Sequence, residues 1–245
     1  MDIKQQESLC RVVTVEQRRV ARSTVEQLLT AAVLECIAKE DAIAILREKG
    51  LDSVVEKANE DLEAFALKDP ASQGNMEFIA RTYTSYAAVL HYRLANYIYN
   101  RYVTSADSAK GILHAGLVSR RGKFLSGAEI HFKCEIGNRF VLDHGYGTVI
   151  GETAKIGHDC YVLGGVVLGA RSICNNASTA RHPTLGDRVQ IGAFASVLGP
   201  VSVGSDTMIG AHCIISEHIP ALRRVTLDGT NLVVRHIRVG SHPLE

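Results

Sequence analysis

From residue 185 onward the chain sets an aliphatic side chain at every sixth position: Leu185, Ile191, Val197, Val203, Ile209 and Ile215. Glycine follows directly at Gly186, Gly192, Gly204 and Gly210. The same spacing holds upstream at Ile130, Ile136 and Leu142, slips by two residues, and resumes through Ile150, Ile156, Val162 and Leu168. A six-residue period matches neither the roughly 3.6-residue turn of a helix nor the alternation of a strand. It predicts a parallel β-helix of triangular section. Each hexapeptide forms one flat face and its turn, three make a coil, and the coils stack as repeats do. The aliphatic residue points into the prism, and the glycine relieves crowding at the turn.

Glycine usage divides the chain. Residues 1–110 hold only Gly50, Gly74 and Pro70, while the remaining 135 residues hold nineteen glycines and four prolines. Helices exclude both residue types and turn-rich β structure needs them. The first part therefore reads as helix. Val25, Leu28, Leu29, Ala32, Val33, Cys36 and Ile37 form one helical stripe, and Leu51, Val54, Val55, Ala58, Leu62, Phe65 and Ala66 a second. A third, longer segment runs from about Met76 to Tyr102, separated from the second by a break at Pro70, which biases Asp69 out of the helical region. The expected organisation is α+β: an all-helical part over residues 1–112, then the β-helix with a C-terminal tail over 113–245.

Composition removes several classes. With 27 Lys+Arg against 26 Asp+Glu and no one-signed tail, nothing argues for nucleic acid or a membrane surface. No apolar run is long enough to span a bilayer, and the polar N-terminus does not read as a signal peptide. The cysteines at 10, 36, 134, 160, 174 and 213 are scattered, which suits reduced thiols in a cytoplasmic protein.

The chemistry is expected where the repeat is interrupted. One interruption spans Leu142 to Thr153 and contains the two-residue slip; the other spans Gly169 to Leu185. Each carries a histidine beside a charged residue, Asp143-His144 and Arg181-His182. The string Leu142-Asp-His-Gly-Tyr-Gly-Thr-Val-Ile-Gly-Glu-Thr153, a loop ending Arg181-His182-Pro183 and the repeats that follow resemble serine O-acetyltransferase, a left-handed β-helix family with a helical N-terminal part. Asp69-Pro70-Ala71, ahead of Tyr92-Arg93, is similar to that part's substrate-contacting segment.

The resemblance implies acetyl transfer from acetyl-CoA to L-serine, giving O-acetylserine for cysteine biosynthesis, without a metal. It gives His144 the role of general base, with a carboxylate fifteen residues upstream orienting it; Glu129 stands there in place of the family's aspartate. A serine hydroxyl needs such a base, and imidazole titrates in the right range. It also places Asp69, Asp143, Arg181 and His182 around the acceptor, carboxylates suiting an ammonium and Arg181 a carboxylate. Acetyl-CoA is expected to lie between neighbouring subunits, where the small residues Gly192, Ala193, Gly210 and Ala211 let its pantetheine arm approach. A homotrimer is implied, or a dimer of trimers, with active sites at the seams. Transfer is expected to be direct, since Cys134, Cys160 and Cys174 have no activating neighbours in sequence.

There are departures from the family. The loop from Arg171 to Thr179 is longer and lacks the usual glycines, Ala180 replaces an aspartate, and Gly229-Thr-Asn-Leu only faintly echoes the closing signature. The chain ends in Glu245 rather than isoleucine, so a complex with cysteine synthase is not expected. Alternative readings are the same chemistry on homoserine or another hydroxy amino acid, an inactive scaffold, and a zinc enzyme of the γ-carbonic anhydrase type. The last would draw on His131, Cys134, His144, His158 and His182, although none of these histidines stands in a His-x3–5-His pair.

Overall fold

The computed structural model describes residues 13–172, 180–229 and 231–236. Helix α1 (Val15–Cys36) opens on a capping box, in which Thr14 Oγ1 accepts from Gln17 N at 3.1 Å and Gln17 Oε1 from Thr14 N at 2.8 Å. Its buried stripe of Ala21, Val25, Leu29, Ala32 and Val33 packs on α3 (Leu51–Lys68) and α4 (Met76–Thr82), with the short α2 (Lys39–Leu46) between α1 and α3. Helix α3 ends where Pro70 predicts, and Asp69 caps the following 3₁₀ turn by accepting from Ala71 N at 2.8 Å.

Two expectations change. The segment 76–102 is not one helix: it breaks at Tyr83, whose extended backbone separates α4 from α5 (Thr84–Tyr102). The break lodges the Tyr83 ring edge-on against Phe65 and Phe78, with centroids 5.5 and 5.9 Å away. Nor does the helical part stop near residue 112. Helix α6 runs Ser108–Ser126, and the change to strand falls at Gly127, in the left-handed region at φ 71°. Gly111, where the glycine-rich part begins, serves close packing of α6 on α5, as does Gly122, while Gly116 faces open space. A Cβ on Gly111 would sit 2.2 Å from Tyr102 Cβ, and one on Gly122 2.8 Å from His91 Cβ.

The prism has three parallel faces. The first joins β1 (Glu129–Ile130), β4 (Val149–Ile150), β7 (Val167–Gly169), β10 (Ser196–Leu198) and β13 (Ile214–Ile215). The second joins β2 (Glu135–Ile136), β5 (Lys155–Ile156), β8 (Thr184–Leu185) and β11 (Ser202–Val203). The third joins β3 (Val141–Leu142), β6 (Tyr161–Val162), β9 (Gln190–Ile191), β12 (Met208–Ile209) and β14 (Arg223–Asp228), and ends in the antiparallel β15 (Asn231–His236). The six-residue periodicity becomes three buried ladders, one of them Ile130, Ile150, Leu168, Val197 and Ile215 in register. The slip at residues 142–150 lengthens the first coil to twenty residues, Ile130 to Ile150, against eighteen from Ile150 to Leu168.

Helix α5 closes the top of the prism, giving Ala88, Val89 and Tyr92 to its core. The Tyr92 hydroxyl donates to Cys134 O at 2.8 Å. Arg93 pairs with Asp61 of α3 through two hydrogen bonds of 2.8 and 2.9 Å, and donates to Ile136 O at 2.6 Å. Asp61 in turn accepts from Phe140 N at 2.8 Å. Tyr92 and Arg93 are therefore buried fasteners between the two parts. Removing one member of such a pair costs about 3–5 kcal/mol, because the other is left charged and buried.

Candidate active site

The corner between β3 and β4 carries Asp143 and His144, at the slip in the repeat. His144 holds φ 60°, a left-handed conformation uncommon outside glycine, and its side chain is 83% exposed. Its Nε2 lies 3.9 Å from Asp143 Oδ1. Later coils turn the same edge at Gly192-Ala193 and Gly210-Ala211, stacked by Phe194 N donating to Gly164 O and His212 N to Ala193 O, both at 3.0 Å. All four small residues thus share one edge of the prism with His144. Their roles divide differently from expectation, however. A Cβ on Gly192 would meet Ala211 N at 2.5 Å and one on Gly210 would meet Val225 O at 3.1 Å, so coil stacking already uses that space. Ala193 and the exposed Ala211 face outward here, beside the exposed and stacked rings of Phe194 and His212.

Beside this corner the two parts of the chain build a cluster of two aspartates and two tyrosines. Asp143 Oδ2 accepts from the Tyr161 hydroxyl at 2.7 Å, and Asp69 Oδ2 from the Tyr83 hydroxyl at 2.9 Å. Both carboxylates act on both phenols, which marks the four as one cluster. Burial, then the accepting carboxylate, pushes each phenol above the ordinary tyrosine range, so both remain donors. Tyr83 and Tyr161 carry no sequence signal for this role, since only the fold brings them to the aspartates.

The edge between the first and second faces carries the other candidates. His182 is 7% exposed, with Thr153 N donating to its Nδ1 at 3.1 Å and Thr153 Oγ1 2.8 Å from the same nitrogen. Burial, then neighbouring Arg181, lowers the His182 pKa. Glu152 is held below the usual carboxylate range by its hydrogen bond from Lys133 at 2.8 Å, and also faces His131 and Arg181. Thr153 lay within the sequence motif, but its contact with His182 did not follow from the string. Arg181-His182 and Asp143-His144 therefore lie at opposite ends of the first face, on the order of 15 Å of extended chain apart. One chain does not bring them together.

Glu129 pairs with Lys123 of α6, a contact the sequence did not anticipate. The carboxylate nearest His144 among the described pairings belongs to Asp143. The thiols are poor nucleophiles: burial pushes Cys134 up to about 12 and Cys160 up to about 11. Cys10, Cys174, the altered loop over 173–179, Thr230 of the closing signature and Glu245 lie outside the described residues. Among the described residues no three His, Cys, Asp or Glu side chains gather as a metal-ligand set within the single chain, and no helix is long and apolar enough to cross a membrane.

Comparison with known proteins agrees with this architecture. The bacterial transferase hexapeptide (six repeats) family matches residues 182–217. Serine acetyltransferase of Helicobacter pylori is 38% identical over 159 residues, covering 65% of this chain and 86% of that protein. Among solved structures, Neisseria gonorrhoeae serine acetyltransferase matches with a TM-score of 0.73 and 26% identity, covering 89% of this chain and 80% of that one. Serine acetyltransferase isoform 3 of Entamoeba histolytica, in complex with cysteine, matches with a TM-score of 0.63 and 29% identity, covering 93% of this chain and 71% of that one. With the repeat ladders, the helical cap and the two interrupted corners all in place, the chain belongs to the serine acetyltransferase family.

Proposed function

We propose that this chain moves the acetyl group of acetyl-CoA to the hydroxyl of L-serine, giving O-acetylserine and free coenzyme A. His144 takes the hydroxyl proton as the oxygen attacks the thioester carbonyl. The new C–O bond forms, the C–S bond breaks as the tetrahedral adduct collapses, and the proton on His144 passes to the departing thiolate. Asp69 and Asp143 receive the acceptor's ammonium, and Arg181 with His182 its carboxylate. The Ala193 and Ala211 edge takes the pantetheine arm, with Gly192 and Gly210 allowing the coils beneath it to stack closely. The observation that carries this reading is the corner at residue 144: an exposed imidazole beside Asp143, in a cluster of two aspartates and two tyrosines drawn from both parts of the chain.

Glu129 is assigned to orient His144. It stands on β1 in the coil stacked on this corner, its N–H donating to Thr148 O at 2.8 Å. Its pair with Lys123 is roughly half exposed on both sides and so worth little, leaving the carboxylate able to exchange partners. The site is completed in a homotrimer, where the His144 edge of one copy meets the Arg181-His182 edge of the next. Exposed Tyr146, Val149, Phe194 and Ile214 on or beside the first face suit such burial. The helical parts are free to pair two trimers. The scattered cysteines, free thiols at the four described positions, fit a cytoplasmic setting.

The test is thiol release from acetyl-CoA with L-serine, homoserine or no acceptor, for wild type and His144→Ala. Serine-dependent release is expected, falling by about 10²–10⁴-fold in the variant. Turnover with homoserine alone would move the acceptor. An equally active variant would remove His144 as base, and no acceptor-dependent release from any arm would defeat the reading.

A further inference from the structure

The turn Gly151-Glu152-Thr153 holds His182 in a way that determines where its proton sits. Thr153 Oγ1 accepts from the N–H groups of Arg181 at 2.9 Å and His182 at 3.2 Å. A hydroxyl has two lone pairs and one proton, so both acceptor positions are used and the proton is left for the remaining neighbour. That neighbour is His182 Nδ1, 2.8 Å away, which also receives Thr153 N–H at 3.1 Å. A ring nitrogen accepting two donors carries no proton of its own, so the neutral imidazole keeps its proton on Nε2. Gly151 provides the space: a Cβ there would lie 2.0 Å from His182 Cδ2 and 2.1 Å from Nε2.

The surroundings keep the ring neutral. Burial, Arg181 and His131 disfavour a charge on His182, while Glu152 favours one and is itself engaged by Lys133. Ser202 and His218 repeat the pairing at an exposed position, Ser202 N donating to His218 Nδ1 at 3.0 Å with the hydroxyl at 2.8 Å. The arrangement is thus a property of this edge of the prism.

We propose that Thr153 is a positioning residue that fixes His182 as a neutral Nε2–H donor to the carboxylate of the acceptor. His182 then takes no proton during the reaction, and the base role belongs to His144 alone. This rests on the reading of Arg181 and His182 as the carboxylate site.

The experiment combines nitrogen NMR of ¹⁵N-histidine-labelled protein with steady-state kinetics, for wild type, Thr153→Ser and Thr153→Val. His182→Gln identifies the resonance, and His218 serves as an internal reference. Wild type and Thr153→Ser are expected to show a bare Nδ1, a protonated Nε2 that shifts on adding L-serine, and the same KM for serine. Thr153→Val is expected to populate the other tautomer and raise the serine KM about tenfold, with the acetyl-CoA KM unchanged. A proton on Nδ1 in wild type overturns the proposal whether or not the valine variant folds. So does a valine variant with unchanged resonances and KM, or one that loses only kcat. The resonances are read without turnover. Absence of serine-dependent transfer would therefore defeat the functional reading separately from the tautomer.

Discussion

The cluster of Asp69, Asp143, Tyr83 and Tyr161 shows how little an aspartate specifies until something aims it. Asp143 and Asp69 are turn residues in sequence, and a solvated turn carboxylate has many orientations open to it. The Tyr161 and Tyr83 hydroxyls each hold one oxygen of these groups, and both phenols remain protonated because burial and the nearby negative charge oppose ionisation. Hydrogen bonds to a charged group are worth about 1.5–3 kcal/mol. Tyr161→Phe keeps the ring and removes the donor. It is expected to raise the serine KM about tenfold, with a smaller change in kcat, measured by the same thiol-release assay. An unchanged KM would mean that Asp143 is held adequately without the phenol. The two tyrosines come from different parts of the chain, so no local string contains the cluster.

The helices bury histidines at their contacts, and this gives the helical part a pH dependence of definite sign. His91 on α5 lies under Gly122 of α6 and donates from Nδ1 to Ala87 O at 2.7 Å, with Arg121 and Glu35 nearby. His114 on α6 faces Asp41 of α2 at 3.5 Å, with Lys110 beside it. Burial is the leading cause that lowers both below the usual 6.5. The unfolded chain therefore takes up these protons first as pH falls. Their stabilisation is present above about pH 6.5 and is lost as pH drops through the folded values. Carboxylates such as Glu152 and Asp206, lowered by hydrogen bonds from Lys133 and Arg188, contribute only in a more acidic window. The urea midpoint of the helical signal is expected to fall between pH 7.5 and 5. A flat midpoint across that range would remove the buried histidines as the cause.

At the scale of the whole molecule the two candidate edges face a problem of distance. His144 and the tyrosine–aspartate cluster lie at one end of the first face, and Arg181-His182 at the other. The buried Arg93–Asp61 pair fixes the helical part on the prism, so motion between the two parts does not close the gap. The proposed trimer closes it, by bringing the second edge from a neighbouring copy. Mixing subunits carrying His144→Ala with subunits carrying Arg181→Ala, each nearly inactive alone, is therefore expected to restore activity after dissociation and reassembly. Each mixed trimer contains one seam that received neither substitution, so about a third of the wild-type activity is the ceiling. If mixing restores nothing while mixed trimers form, each site is complete within one chain and the seam assignment fails.

The inward ladders were legible in the sequence because parallel coils in register must repeat their buried positions, and that repeat is written along the chain. The candidate histidines were legible because they interrupt it. The structure alone decided the break at Tyr83, the turn at Gly127, the tyrosine–aspartate pairs, the grip of Thr153 on His182 and the pairing of Glu129 with Lys123. Glycine was the misleading signal: at 111 and 122 it marks close helix contact rather than a boundary, and its local meaning depends on which atom stands opposite. Periodic burial is a local rule, applied again at each coil, so it survives translation into a string of letters. Which side chains meet across coils and between the two parts depends on stacking and docking, and those contacts exist only once the chain has folded.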